Sequence, residues 1–358
     1  EAARRACPEG GCVVTDILLD FFGTLVRYTP GSHHVLLYNT PYRSIPTRDR
    51  RGREHDTSDV FDCAEGATAD WETGGVLSGA QSFAAESMVN LPDDVGIKVP
   101  GGAVLLMNTH YLNAGPSPLS TTARINVYTI PAERVQKEGG VILFYNPFIR
   151  VPEQGQASAR MRCPLSQNIM LSNIQSHMHR RGVGFSASLL NDKGVPIEEL
   201  YRTNEWESVP VRSFGAGKAI AAGTIIDYRC DYQNSETRPV LQGFSTRDEM
   251  CVLLGSYYPR DPLFEGCGNS TFVGSGTKNG AETLSCLQSA AGAADPMYGC
   301  IVNSCAAVAE PMTQALRCQF SRGNGACQSM CEANPNQCDS CVQQACQQVL
   351  GAFQQATC

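Results

Sequence analysis

The chain contains no stretch approaching ~20 consecutive apolar residues, so no segment of it can cross a bilayer as a helix. Lys and Arg form no long run, and the net charge is −7, which argues against nucleic acid or an anionic membrane as the main partner. There is no P-loop, no dinucleotide-binding glycine fingerprint and no G-x-S-x-G elbow, so the common nucleotide-dependent and serine-hydrolase chemistries have no foothold. No internal repeat is visible. Charged residues are only 18% of the chain, and histidine is scarce, at six in 358 residues.

Cysteine, by contrast, is abundant. Seventeen cysteines are far too many for an ordinary cytosolic enzyme, and they predict a secreted, periplasmic or surface protein in an oxidising compartment. Beginning at Glu1 rather than Met, the chain reads as a processed product whose export signal is gone. Three cysteines precede residue 70, four lie between 163 and 267, and ten follow from 286. The latter two groups are even, so the unpaired cysteine is expected among Cys7, Cys12 and Cys63. A zinc cluster at Cys338-x-x-Cys341 is the weaker reading, because the tail lacks the repeated CxxC pairs of a structural zinc site.

With 42% hydrophobic residues over 358 positions, the chain can build two or three cored domains. From about residue 13 to 267 it reads as β. Short apolar or β-branched runs are bounded by Pro, Gly, Asn and Asp, among them Val35–Tyr38, Ala103–His110, Arg124–Ile130, Gly140–Tyr145, Ile169–Ile174, Gly184–Leu190, Thr224–Tyr232 and Met250–Tyr258. Val13–Leu19 and Leu25–Tyr28 read as two further strands. This grammar predicts antiparallel sandwiches or barrels rather than alternating βα units. A Pro- and Gly-containing connection from Asn146 to Gln156 suggests a boundary between two β domains. Residues 268–280 form a Gly/Ser/Thr-rich linker with a sequon at Asn269-Ser270-Thr271. Beyond it, Ala, Gln and Cys dominate, and Gln343–Gln355 reads as helix. The expected architecture is mainly β: two consecutive antiparallel β-sandwich (jelly-roll-like) domains over 1–148 and 149–267, then the linker and a small disulfide-rich α-helical module over 281–358.

Five of the six histidines fall into three compact contexts: GSHHVLLYNTP, LLMNTHYLN and NIQSHMHRRG. Imidazole is the commonest transition-metal ligand. In His177-Met178-His179, residues two apart share one face of a strand, so both imidazoles can reach one ion while Met178 packs on the other side. The adjacent His33 and His34 would point to opposite faces of a regular strand, and can meet one ion only at a strand end or bulge, for which Pro30 and Gly31 prepare the chain. His55 lies in the charged segment RDRRGREHD and reads as solvated.

The order HHV, NTHY, SHMH, DEMC over about residues 12–265 resembles the type II copper, ascorbate-dependent monooxygenases, the family of peptidylglycine α-hydroxylating monooxygenase and dopamine β-monooxygenase. The resemblance implies two copper ions per chain. One would be held by His33, His34 and His110, and would pass an electron across an interdomain cleft. The other, held by His177, His179 and Met250, would be where O2 and substrate meet. Thioether is a soft ligand that favours Cu(I), while imidazole accepts both oxidation states. The family's pattern also implies the disulfides Cys230–Cys251 and Cys163–Cys267, and pairs Cys63 with Cys7 or Cys12. The implied activity is hydroxylation of a C–H bond in a small organic substrate, with O2 and ascorbate or a similar reductant as co-substrates.

The chain departs from the family where peptide-amidating members grip a substrate carboxylate. Gln175, Val252 and Leu254 stand where those members carry Arg, Asn and Tyr, so a glycine-extended peptide is not the expected substrate. Asn108 replaces a Gln common two residues before the third histidine. Two other functions compete: an exported copper-binding or storage protein without turnover, and a structural zinc or adhesion protein. The tail is expected to bind a partner, anchor the protein to a surface, or merely clamp the fold.

Overall fold

Runs that alternate large apolar side chains with small or polar ones, cut by Gly and Pro, satisfy their backbone most cheaply by pairing edge to edge with an inward apolar face. The computed structural model of this chain is built largely in that way. It describes residues 16–358 apart from 29–31, 58–60, 62–69, 82–85, 131–133, 268–275, 291–293 and 331–334, and positions 90, 101, 112, 114, 147, 266, 321–322, 324–325 and 328–329. Cys7, Cys12, Cys63 and the sequon lie outside the described residues.

Strand β1 (Asp16–Tyr28) is one long strand across both segments read separately from the sequence, with an irregular register against β7 (Ala123–Ile130) between Leu19 and Thr24. It also pairs with β4 (Glu86–Val89) and β5 (Val95–Pro100), and the short β8 (Lys137–Glu138) adds to β5 in parallel. A second, three-stranded sheet places β2 (Ser32–Asn39) between β3 (Gly75–Gln81) and β6 (Leu105–Tyr111).

A short antiparallel pair, β10 (Arg150–Val151) with β17 (Val240–Leu241), and two four-stranded antiparallel sheets follow. One runs β11 (Gln156–Pro164), β16 (Ile225–Gln233), β13 (Gly182–Leu190), β14 (Pro196–Thr203). The other runs β15 (Arg212–Ile220), β12 (Ile169–His177), β18 (Val252–Tyr258), β9 (Gly140–Tyr145). Their inner faces enclose a single core containing Phe144, Met161, Leu171, Phe185, Tyr228 and Leu253. Alternation is clear on β11, where Ala159, Met161 and Cys163 point inward and their neighbours do not. Strand β18 is buried on both faces. Leu253 and Tyr257 face the sandwich core, while Tyr258 joins Leu37, Leu77 and Ile97 of the preceding sheets. The register between β12 and β18 pairs Gln175 with Leu254 and His177 with Val252, which brings these four side chains together.

Behind β18, Cys230 is bonded to Cys251, and Cys163 to Cys267, the pairs the resemblance implies. The tail forms helices α1 (Pro262–Glu265), α2 (Gly280–Ser289), α3 (Ala294–Val302), α4 (Ala306–Phe320), α5 (Pro335–Ala345) and α6 (Gln347–Gln355). Asn279 and Glu282 form a reciprocal capping box that starts α2. The helix expected over Gln343–Gln355 is broken at Cys346, which is buried and bonded to Cys318. Further bridges join Cys286 to Cys300, Cys305 to Cys358 and Cys327 to Cys341, and Cys338 is also disulfide-bonded. The tail's core of Val308, Met312, Ala315 and Phe353 is completed by Phe148, from the connection between β9 and β11.

The loop closed by Cys163–Cys267 spans 104 residues and that closed by Cys230–Cys251 spans 21. Chain entropy assigns about 5 kcal/mol to the first and about 3 kcal/mol to the second. The double variant Cys163→Ala/Cys267→Ala is therefore expected to lower the guanidinium midpoint more than Cys230→Ala/Cys251→Ala, and the reverse order would contradict an entropic origin.

Candidate metal centre and cleft

On β2 the register against β6 slips between Ser32 and His34, so that Ser32 faces Tyr111 and His34 faces His110 with His33 left over. His33 is the inserted residue of a bulge, which lets adjacent histidines converge on one side. The ring centroids of His33, His34 and His110 lie 5.3, 5.4 and 4.8 Å apart, and each residue offers one nitrogen such that all three lie within 4.8 Å of one another. Both ring nitrogens of His33 and Nδ1 of His34 are buried with no hydrogen-bond partner. Buried polar atoms are rarely left so without a reason. A cation fits this donor set, since it would engage lone pairs that no protein donor reaches.

His177 is the last residue of β12, and His179 lies just past the strand rather than within it. The chain leaves the ladder there because Glu249, fully buried, accepts the backbone N–H groups of both His179 (3.0 Å) and Arg181 (2.9 Å). The rings of His177 and His179 remain 5.2 Å apart. Met178 is wholly buried in the sandwich core, as its place between the histidines led us to expect. His179 Nδ1–H donates to the Asp248 carbonyl at 3.0 Å, which leaves Nε2 as the free, buried and unpartnered nitrogen. His177 Nδ1 is hydrogen-bonded to Gln81 Oε1, and the Gln81 amide nitrogen donates to the Trp206 carbonyl. Second partners of this kind fix tautomer and ring orientation in metal-binding histidines.

The two sets are contiguous rather than facing across open space: His34 and His177 lie 5.3 Å apart, centroid to centroid. Electrostatics follow from that crowding. Burial, then neighbouring imidazoles, holds His33 down to about 4 and pushes His34 and His177 well below the usual histidine range. Burial likewise depresses His179, to about 4, and His110. Burial pushes Glu249 up to about 7, against the pull of the two backbone N–H groups and Arg181.

A cleft of about 910 Å³ opens beside the cluster, lined by His34, His110, His177 and Met250. Gln175, Val252 and Leu254 also line it, as do Tyr145 and Phe244, whose rings are parallel at 6.2 Å. His55 is not solvated: its side chain is about one-tenth exposed, its Nε2 lies 2.8 Å from Asp49, and it packs on Phe61 and Trp71. The local charges that suggested exposure are neutralised in place, since Arg53 pairs with Asp49 and Asp70. Gln81 and Glu249 were not legible as site residues. Glu249 adjoins Met250, but one acid beside a methionine carries no signal, and Gln81 stands 96 residues from the histidine it orients.

A family model described as "Copper type II ascorbate-dependent monooxygenase, C-terminal domain" matches residues 138–273. That span includes His177, His179 and Met250 but not His33, His34 or His110. Among solved structures, the chain is similar to infectious bursal disease virus Gx strain (9% identity, 71% of this chain and 59% of that one, TM-score 0.20). It is also similar to the VP2 subviral particle of the same virus (9% identity, 68% and 58%, TM-score 0.20). The chain thus spans less than two thirds of those proteins, and likenesses this slight carry no weight for function.

The depressed histidines set a pH dependence. His33 and His179, held down to about 4 by burial, are neutral in the folded, metal-free protein well above that pH yet bind a proton near 6.5 when unfolded, so the stability they contribute is full above 6.5 and is lost as pH falls toward 4. Glu249 acts in the opposite sense between 4.5 and 7, but it is one group against several. Each unit of depression is worth about 1.4 kcal/mol. The thermal midpoint of the metal-free protein should therefore fall steadily between pH 6.5 and 4.5 in scanning calorimetry, and a flat or rising profile would show that the cluster is not buried as described.

Proposed function

We propose that this chain is an exported monooxygenase of the copper type II, ascorbate-dependent kind, the family whose C-terminal-domain model matches residues 138–273. It hydroxylates a C–H bond of a small organic substrate with O2 and a one-electron reductant such as ascorbate. Two copper ions per chain are proposed, one held by His33, His34 and His110 and one by His177, His179 and Met250. The observation that carries this reading is a set of buried imidazole nitrogens without protein partners, packed against a cleft that also contains the Met250 side chain. The six disulfides of known pairing fit an oxidising compartment. Among the described residues no helix is long and apolar enough to cross a membrane.

When bound, copper supplies one-electron redox chemistry and activation of O2, with one oxygen atom entering the C–H bond and the other leaving as water at the cost of two electrons and two protons. The chain's own residues prepare for this. Low basicity keeps the five imidazoles neutral and competent as ligands near neutral pH. Gln81 and the Asp248 carbonyl engage Nδ1 of His177 and His179, turning each Nε2 toward a ligand. Tyr232 donates to the Met250 carbonyl at 2.7 Å and Glu249 grips the turn bearing His179, so the residues that hold the thioether and the second imidazole are braced from behind. The apolar cleft walls limit water around the reacting centre.

Met250→Ile keeps an apolar side chain of similar size but removes the thioether. In the copper-loaded protein it is expected to abolish substrate-dependent O2 uptake, while the thermal midpoint of the metal-free protein stays unchanged; retained uptake would disprove the ligand assignment. Gln81→Leu should weaken copper binding at His177 and His179 by ~10–100-fold in a chelator competition. Anomalous scattering at the copper edge distinguishes both copper readings from a zinc protein, and bound copper without uptake on any substrate would leave storage as the function.

A further inference from the structure

The cleft differs from most small-molecule sites in what its walls lack. Among the described residues that line it, none is Asp, Glu, Lys or Arg. Arg181, two residues beyond His179, is already engaged, buried against Glu236 and Glu249. A substrate carrying a formal charge would lose its hydration on entry and meet no counter-charge in the wall, a cost of several kcal/mol in a poorly solvated site. Where the resembling peptide-amidating enzymes place an arginine, Gln175 offers only a neutral amide. That residue is 5% exposed, its nitrogen makes a long contact of 3.5 Å to the Gly79 carbonyl, and its Oε1 is buried with no partner. An unpaired buried acceptor on a cleft wall is satisfied by a donor brought from outside, such as a hydroxyl or amide N–H.

Much of the rest of the wall is apolar, and part of that apolar surface is exposed. Phe244 and Met107 both line the cleft and are each 45% exposed, an arrangement that gains from being covered. Tyr145 lies parallel to Phe244, with ring planes only 3° apart and centroids 6.2 Å apart, so the two rings form a stacked aromatic pair on the cleft wall. The Tyr145 hydroxyl is bonded to Gln242, and Gln242 in turn accepts from Tyr298 of α3, so this surface is held in place by the helical tail.

We infer that the cleft selects an uncharged, largely apolar substrate with an aromatic portion, laid against Tyr145 and Phe244 and oriented by a hydrogen bond from its own donor to Gln175 Oε1. The inference rests on the monooxygenase reading for what happens to the substrate, though not for whether it binds. It assigns Gln175 as the specificity residue and excludes both carboxylate and ammonium substrates of the same shape.

Three probes of nearly equal size separate these cases at pH 7: 2-phenylethanol (neutral), phenylacetate (anionic) and phenethylamine (cationic). Binding is read from the fluorescence of Trp71, which lines the cleft, with the full chain both copper-loaded and metal-free, so that an anion ligating copper is not mistaken for recognition by the wall. Binding of 2-phenylethanol at least tenfold tighter than of either ion is expected in both forms. Equal affinities, tighter binding of an ion in the metal-free form, or no saturable binding of 2-phenylethanol overturns the proposal. Phe244→Ala alters a half-exposed side chain and spares the core, and should weaken 2-phenylethanol at least tenfold; no change overturns the aromatic wall. Gln175→Arg, checked by an unchanged thermal midpoint, should reverse the preference toward phenylacetate. O2 uptake is scored separately. Selective binding of 2-phenylethanol without uptake removes the monooxygenase reading and leaves the substrate class standing, whereas uptake driven by phenethylamine keeps the enzyme and removes this substrate class.

Discussion

Gathering five imidazoles into a dry cluster is the constraint around which this protein is organised. Imidazolium ions cannot be packed at about 5 Å from one another without water, so the rings must be neutral, and neutral rings bring lone pairs that need partners. The surrounding residues answer only half of that need. Gln81 and the Asp248 carbonyl take up one nitrogen each on His177 and His179, while both nitrogens of His33, Nδ1 of His34 and Nε2 of His179 stay buried and unpartnered. A fold that had evolved to bury histidines for packing alone would have satisfied both sides of each ring.

Strand β18 makes the arrangement possible. Most strands here show one face to a core and the other to solvent, but β18 is covered on both. Its inner face is pinned by the Cys230–Cys251 bridge just ahead of the strand, and its outer face carries Val252 and Leu254 into the cleft. Met250 sits at the entry to the strand, where Glu249 has turned the neighbouring chain out of its ladder. The carboxylate, the thioether and the bridge occupy three consecutive positions with three separate tasks.

Much of this was legible in the sequence. The strands that carry or adjoin the histidines and Met250 are rich in Val, Leu, Ile and aromatics, and their periodicity is plain. Two adjacent ligands required either a strand end or a bulge, and the structure has the bulge, at His33. Strands with small or exposed residues were not legible. GVLSGAQ in β3 and RSFGAGKAI in β15 have too little apolar patterning to distinguish them from loops, and β15 is held in place by its neighbour β12 rather than by its own composition. The orienting contacts were hidden for a different reason. A glutamine or a glutamate declares no role until the fold brings it to a partner many residues away. His55 shows the converse error: a charged neighbourhood suggests water, yet those charges close on one another and on the ring.

Phe148 carries a consequence for how the molecule is divided. Composition changes abruptly near residue 281, and a cut there looks natural. Yet this phenylalanine, far upstream, fills the hollow between the tail's helices, and the tail's Tyr298 reaches back to the floor of the cleft. The boundary seen in composition is a change of vocabulary, not of sentence. Removing the helices would uncover a large apolar side chain on the sandwich and loosen a wall of the pocket, so the tail buttresses the cleft from behind rather than hanging from the fold as cargo.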